Sequence, residues 1–241
     1  MREVVYLSVG KLQQFLPTSR RVSRVGALRL TTPLGGVDLD APAPDDARSR
    51  LRHLQQVDNY LSTVARWFGE PGVRPGQWVR FEAPLRCVTL KGEYQHLVLF
   101  ADPSPSEEPE YERTTGFRLL MHGSVRHLVG QAPVPVAGPL LEELGGGADS
   151  AGTMFMTNAG HVVRTLAEES GQTAAASSAD ASPDRNGVHD LLQAIDKRTP
   201  AGTAAWMRGY ARVTALLPAS NAYAQCLVAS PLAVEYAHEL S

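Results

Sequence analysis

One six-residue phrase is used twice in this chain. Trp78-Val79-Arg80-Phe81-Glu82-Ala83 leads into one apolar strand pair, and Trp206-Met207-Arg208-Gly209-Tyr210-Ala211 leads into another. Each copy follows a helical stretch. Each is followed by a second apolar run, Leu97-Val98-Leu99-Phe100 in one case and Cys226-Leu227-Val228-Ala229 in the other. The simplest reading is duplication: an α+β protein of two similar half-domains, residues 1–115 and 116–241, each an antiparallel sheet with helices on one face. Two such halves would face each other about a pseudo-twofold axis, and the cleft between them would be the default ligand site.

Local patterns supply the elements. Val4 to Ser8 reads as a short strand, and Lys11 to Leu16 as a helical turn that Pro17 stops. Gly26 to Thr32 alternates apolar and polar side chains, the period of a half-buried strand. Leu51, Leu54, Val57, Leu61, Val64 and Phe68 recur at three- and four-residue steps, so a long helix with one apolar face begins near Asp45 and Asp46, which suit a helix start. Strands are expected over 77–90 and 94–101, joined through Lys91-Gly92-Glu93, with Pro84 marking an edge or bulge. Two more flank His122-Gly123-Ser124, and the last two cover 203–217 and 223–236. A helix is expected over 188–198. The stretch 170–187, rich in Ala, Ser and Asp, lacks the large apolar groups that repay ordering entropy and is expected to be a mobile loop.

Composition narrows the function classes. The 23 basic and 25 acidic side chains leave a formal charge of -2, so no global field draws the protein to nucleic acid or anionic lipid. Arg20, Arg21 and Arg24 read as a solvated loop. Cys87 and Cys226 are too few for a disulfide framework and lack metal spacing. The first residues show no signal-peptide pattern, and no apolar run approaches the roughly 20 residues of a membrane helix. A cytoplasmic location is the expectation.

The densest reactive group is His122-Gly123-Ser124-Val125-Arg126-His127. Histidine moves protons near neutral pH, and a serine within reach of an imidazole is a potential nucleophile. In one continuous strand, however, His122 and Ser124 share a face that His127 does not. Asp38, Asp40, Asp45 and Asp46 could hold a hard cation, but they also suit turns and the next helix cap. Cys87 and His96 lie in one strand pair, where a Cys–His thiolate would need the right register. Tyr6, Ser8 and Ser230 read as hydrogen-bonding residues at strand ends. Nucleotide-binding glycine loops and His-Glu-x-x-His zinc spacing are absent. A cofactor held by one histidine, such as haem, leaves no motif, so the sequence names no cofactor and no catalytic residue.

Tyr6-Leu7-Ser8 with Lys11-Leu12 and Phe15, Leu120-Met121-His122-Gly123-Ser124 with His127-Leu128, and Ala229-Ser230-Pro231-Leu232 with Val234-Glu235-Tyr236 together resemble a family of actinobacterial proteins of unknown function. The resemblance implies a soluble bacterial protein and transfers no catalytic residue. The functional expectation is an accessory protein that binds a small molecule or a protein partner, with His122, Ser124, Arg126 and His127 as the polar contacts. The alternative is a hydrolase or isomerase using His122 or His127 as general base.

Overall fold

The computed structural model describes residues 3–15, 46–90, 94–103, 117–130, 155, 159, 162, 183–199, 201–219 and 224–237. In chain order its elements are β1 (Val4–Leu7), α1 (Val9–Gln14), α2 (Asp46–Val64), β2 (Arg66–Trp67), β3 (Trp78–Thr89), β4 (Leu97–Ala101), β5 (Arg118–Ser124), α3 (Pro183–Arg198), β6 (Ala205–Leu217) and β7 (Cys226–Tyr236). Single 3-10 turns, Val125–His127 and Ala201–Thr203, follow β5 and precede β6.

The two tryptophan-led phrases are neighbours. β3 and β6 pair antiparallel from Trp78 opposite Arg212 to Leu85 opposite Ala205, with Phe81 facing Gly209. β3 also pairs with β4, β4 with β5, β5 in parallel with β7, and β7 with β6. That circuit returns to its starting strand, so five strands close into a barrel and the sheet has no open edge along it. This corrects the expected fold. The described residues are mostly strand with three helices, not two α+β half-domains with helices on a sheet face, and the sequence echo reflects two strands zipped together, which gives no support to duplication. Short apolar strands with alternating polar residues suit a closed barrel as well as two small sheets, and only long-range pairing decides between them.

The barrel has a recognisable strand order. Its first strand (β3) pairs with the second (β4) and the fourth (β6), the third (β5) runs parallel to the fifth (β7), and α3 lies in the connection between third and fourth. This is the order of the OB-fold, a five-stranded Greek-key barrel. Period-two alternation fills the inside: Val79, Phe81, Ala83 and Leu85 of β3 meet Phe100, Leu119, Met121, Met207, Ala211, Val213 and Leu227 there, while Arg80 and Glu82 face out. A second cluster lies under α3, and a third joins α1 and α2 to β7 through Leu12, Leu54, Val57, Leu61 and Leu232.

β7 shares one edge between two partners. Its first part, Cys226–Ala229, pairs with β5, and from Ala233 onward it pairs antiparallel with β1. At the changeover the carbonyl groups of Pro231 and Leu232 accept hydrogen bonds from the Lys11 ammonium (2.8 Å) and the Ser8 N–H (2.8 Å). A lysine that is only 8% exposed thus supplies a bond at the point where one strand neighbour ends and the next begins.

Several local readings hold. α2 matches the middle of the apolar stripe, with Leu54, Val57 and Leu61 buried, whereas Val64 is exposed at the helix end and Phe68 is buried beyond the helix, after β2. Pro84 lies on the part of β3 whose second edge is taken neither by β2, at Val79 and Arg80, nor by β4, from Arg86 onward. The segment Gly26 to Thr32, the three arginines near residue 20, Asp38, Asp40 and Asp45, and residues 170–182 lie outside the described residues. Residues 183–187, expected in the mobile loop, form the start of α3.

Gly209 tests the zipper. A Cβ there would run into the Ala233 carbonyl oxygen on β7 and come within 3.2 Å of the Phe81 ring. Gly209→Ala should therefore cost about 2–3 kcal/mol in urea denaturation, as overpacking does. Gly202→Ala, with nothing within 4 Å, should change stability little. A loss below about 0.5 kcal/mol for Gly209→Ala would mean that β6 and β7 are not this close.

Candidate functional site

OB-type barrels bind ligands across the outer face of their second and third strands. Here that face is closed. Leu97, Leu99 and Ala101 of β4 and Leu120 of β5 are buried against the helical residues Phe155, Ala159 and Val162 and against Val188, Leu191, Leu192 and Ile195 of α3. Ion pairs fasten this layer. Asp196 of α3 takes Arg86 Nη1 at 2.7 Å and both Arg118 Nη atoms at 2.8 and 3.0 Å, while Arg118 Nε reaches Asp102 Oδ1 at 3.3 Å. The Leu119 N–H donates to Asp102 Oδ2 at 2.8 Å. Two guanidinium groups and two carboxylates balance, which keeps the charges buried at tolerable cost.

An open concave surface lies elsewhere, on the outer face of β3, β6 and β7. A cavity of about 270 Å³ is lined there by Asp58 of α2, Trp67 of β2, Arg80, Phe81 and Glu82 of β3, Arg208, Gly209 and Tyr210 of β6, and Glu235 of β7. Strand register orders its floor in two rows. Trp67, Arg80 and Tyr210 lie side by side, because Trp67 pairs with Arg80 and Arg80 with Tyr210. Next to them run Glu82, Arg208 and Glu235. Arg208 Nε bonds Glu235 Oε1 at 2.9 Å, and the Arg80 guanidinium sits 5.8 Å from the Trp67 ring centroid. Aromatic faces beside charges of both signs are what a polar small molecule needs for contact area and orientation.

None of the residues singled out in the 122–127 segment lines this cavity. His122 and Ser124 share one strand face, as their spacing requires, and His127 follows in the 3-10 turn Val125–His127. The His122 ring is 3% exposed and stacked on Phe155, with centroids 4.2 Å apart and planes 7° from parallel. Its Nε2 finds no hydrogen-bond partner among the described residues. Burial, helped by the nearby Lys11 charge, pulls its pKa down to about 3. An imidazole held neutral and shut from solvent is poorly placed as a general base. Ser124 accepts the Arg126 N–H at 3.4 Å at the start of the 3-10 turn, Arg126 is exposed, and His127 meets the Tyr6 ring edge-on at 5.6 Å. Gly123 is needed where it stands, since a Cβ would collide with the Tyr6 ring.

The remaining candidates separate in the same way. Lys11 Nζ bonds Ser230 Oγ, so these two residues, far apart in sequence, form a buried polar pair at the β7 changeover, where the backbone N–H of buried Ser8 also bonds the Leu232 carbonyl. Cys87 faces Phe100, not His96, across the strand pair, and His96 lies against Tyr94. Cys87 keeps exposed surface, yet desolvation pushes its thiol up to about 11, and full burial pushes Cys226 higher still. Neither is a ready thiolate. Among the described residues no group of three His, Cys, Asp or Glu side chains could hold a metal ion, and no helix is long and apolar enough to cross a membrane.

Arg80, Glu82, Arg208 and Tyr210 belong to the repeated phrase, yet the repeat by itself does not place them on one surface. Their alternation with Val79, Phe81, Met207 and Ala211 sends each pair to the outer side of its own strand, and the β3–β6 pairing joins the two pairs. Asp58, Trp67 and Glu235 join only through tertiary pairing.

The chain belongs to a family of unknown function, DUF7019. The family model matches residues 3–238, nearly the whole length. No curated protein and no solved structure matches it.

His122 and Asp102 respond to acid in opposite senses. Because the folded pKa of His122 lies near 3 against an ordinary 6.5, its contribution is intact above pH 6.5 and is lost as pH falls toward 3. Burial raises Asp102 from 3.8 to about 7 against the pull of Arg118, so its contribution is intact below pH 3.8 and is lost as pH rises toward 7. His122→Phe keeps the stack on Phe155 and removes only the first effect. Relative to the parent, it should gain on the order of 2–3 kcal/mol between pH 7 and pH 4.5 in chemical denaturation, at about 1.36 kcal/mol per pH unit. Parallel pH profiles for the two proteins would place a solvated histidine at this position.

Proposed function

We propose that this protein is a small-molecule-binding module that holds its ligand on the outer face of β3, β6 and β7. The observation that carries the reading is a cavity of about 270 Å³, floored by aligned aromatic and charged side chains, on a barrel whose usual ligand face is packed under helices. That volume is small for a drug-sized ligand and suits a metabolite. The formal charge of -2 and the mixed charges of the cavity favour a small polar ligand over nucleic acid. The reading replaces the expected inter-domain cleft and moves the contacts away from His122, Ser124, Arg126 and His127. A cytoplasmic bacterial protein of the family resembled by its sequence is the setting we propose.

A ligand-observed magnetic resonance screen of soluble metabolites against the intact chain tests it. Hits should weaken about tenfold or more in Tyr210→Ala and in Arg208→Ala, equivalent to about 1.4 kcal/mol, and should be unaffected by Ser124→Ala and His127→Ala. Hits that survive the first pair and vanish with the second would return the site to the midchain segment.

A further inference from the structure

Resting on the reading that this cavity binds a small polar molecule, we infer that the ligand is a neutral oligosaccharide, with one sugar ring in the cavity and the next rings running along β6 to Trp206. The observation that carries this lies just outside the cavity. Of the three tryptophans Trp206 alone is exposed, at 47%, and it does not line the cavity. It alternates with buried Met207, so it stands on the same outer side of β6 as Arg208 and Tyr210. The register with β3 runs without interruption from Trp78 to Leu85, which puts Trp206 opposite Pro84, one step beyond the row of Glu82, Arg208 and Glu235.

The outer surface therefore carries aromatic rings at both ends of a charged row. Trp67 and Tyr210 stand on one side of it and Trp206 on the other, with Tyr210 and Trp206 about 13 Å apart along the strand. That separation exceeds the width of one metabolite ring and suits a short chain of them. Sugar rings present C–H faces, which lie on aromatic faces, and hydroxyl edges, which need donors and acceptors together. The row between the aromatics supplies both, a guanidinium and two carboxylates. It also argues against a charged chain. A ligand of either net charge would meet a like charge within that row, and a nucleic acid would lay its phosphates against Glu82 and Glu235.

Affinity electrophoresis of the full chain in gels cast with starch, dextran, xylan, mannan or a soluble β-glucan gives the first test. At least one of these should retard the protein. Calorimetry with the matching sugars gives the second: the trisaccharide should bind about tenfold or more tightly than the monosaccharide, Trp206→Ala should reduce it to the monosaccharide's affinity, and Trp206→Phe, which keeps an aromatic face, should retain most of the advantage. Monosaccharide binding should be unchanged in both variants, which also shows that they are folded. Retardation by none of the polysaccharides, or a chain-length advantage that survives Trp206→Ala, would overturn the inference. If a metabolite hit still depends on Tyr210 and Arg208, the cavity reading stands without the oligosaccharide; the absence of any such hit removes the cavity reading as well.

Discussion

The antiparallel pairing of β3 with β6 is the interaction on which the rest of this structure depends. Without it the sheet is a strip with two open edges, and Val79, Phe81, Met207 and Ala211 have no common interior to fill. With it the strip closes, every inward side chain of both strands enters one core, and every outward one joins a continuous outer surface. Gly209 makes the closure possible, because the Ala233 carbonyl of β7 and the ring of Phe81 occupy the space that any larger residue would claim. The same pairing places Arg80 next to Tyr210 and Glu82 next to Arg208. Fold and candidate site are two faces of one strand ladder.

Closure alone leaves β7 with an edge that β5 covers only in part. β1 fills the remainder, and Lys11 and Ser8 supply bonds at the junction. This explains why a chain beginning with a short strand and a six-residue helix carries a buried lysine so early. It also gives Ser8, Lys11 and Ser230 a structural purpose, since the Ser8 N–H and the Lys11 ammonium bond Leu232, Pro231 and Ser230 where β7 changes partners. Their chemistry is used to join strands. The charged network of Arg86, Arg118, Asp102 and Asp196 has a parallel purpose, holding α3 over β4 and β5.

Much of the local structure was legible in the sequence. The spacing of Leu54, Val57 and Leu61 announces α2, the apolar runs announce β3, β4, β6 and β7, and Pro84 marks incomplete pairing. The topology was not. A repeated Trp-x-Arg phrase is as natural in two strands that pair with each other as in two copies of a domain, since both demand the same inward and outward alternation. Residue period fixes which face a side chain takes, and carries no record of which strand lies beside it. The site went unseen for the same reason. The eye is drawn to His122, Ser124 and His127, whose reactive side chains are adjacent in sequence, whereas Asp58, Trp67, Arg80, Arg208 and Glu235 become neighbours only after closure. His122 shows the physical cost of reading reactivity from residue type: stacked on Phe155 and desolvated, it is part of a core.

In this barrel the outer face of β4 and β5 is packed under helices, and a small cavity lined by charged and aromatic side chains lies on the face of β3, β6 and β7. That account stands or falls on closure. The direct measurement is a set of backbone nuclear Overhauser contacts between residues 79–85 and 205–211 in the intact labelled protein. The structure requires inter-strand proton contacts in one antiparallel register centred on Phe81 and Gly209. Contacts confined to β3 with β4 and to β6 with β7, with none between the two tryptophan-led strands, would contradict it and restore two separate sheets.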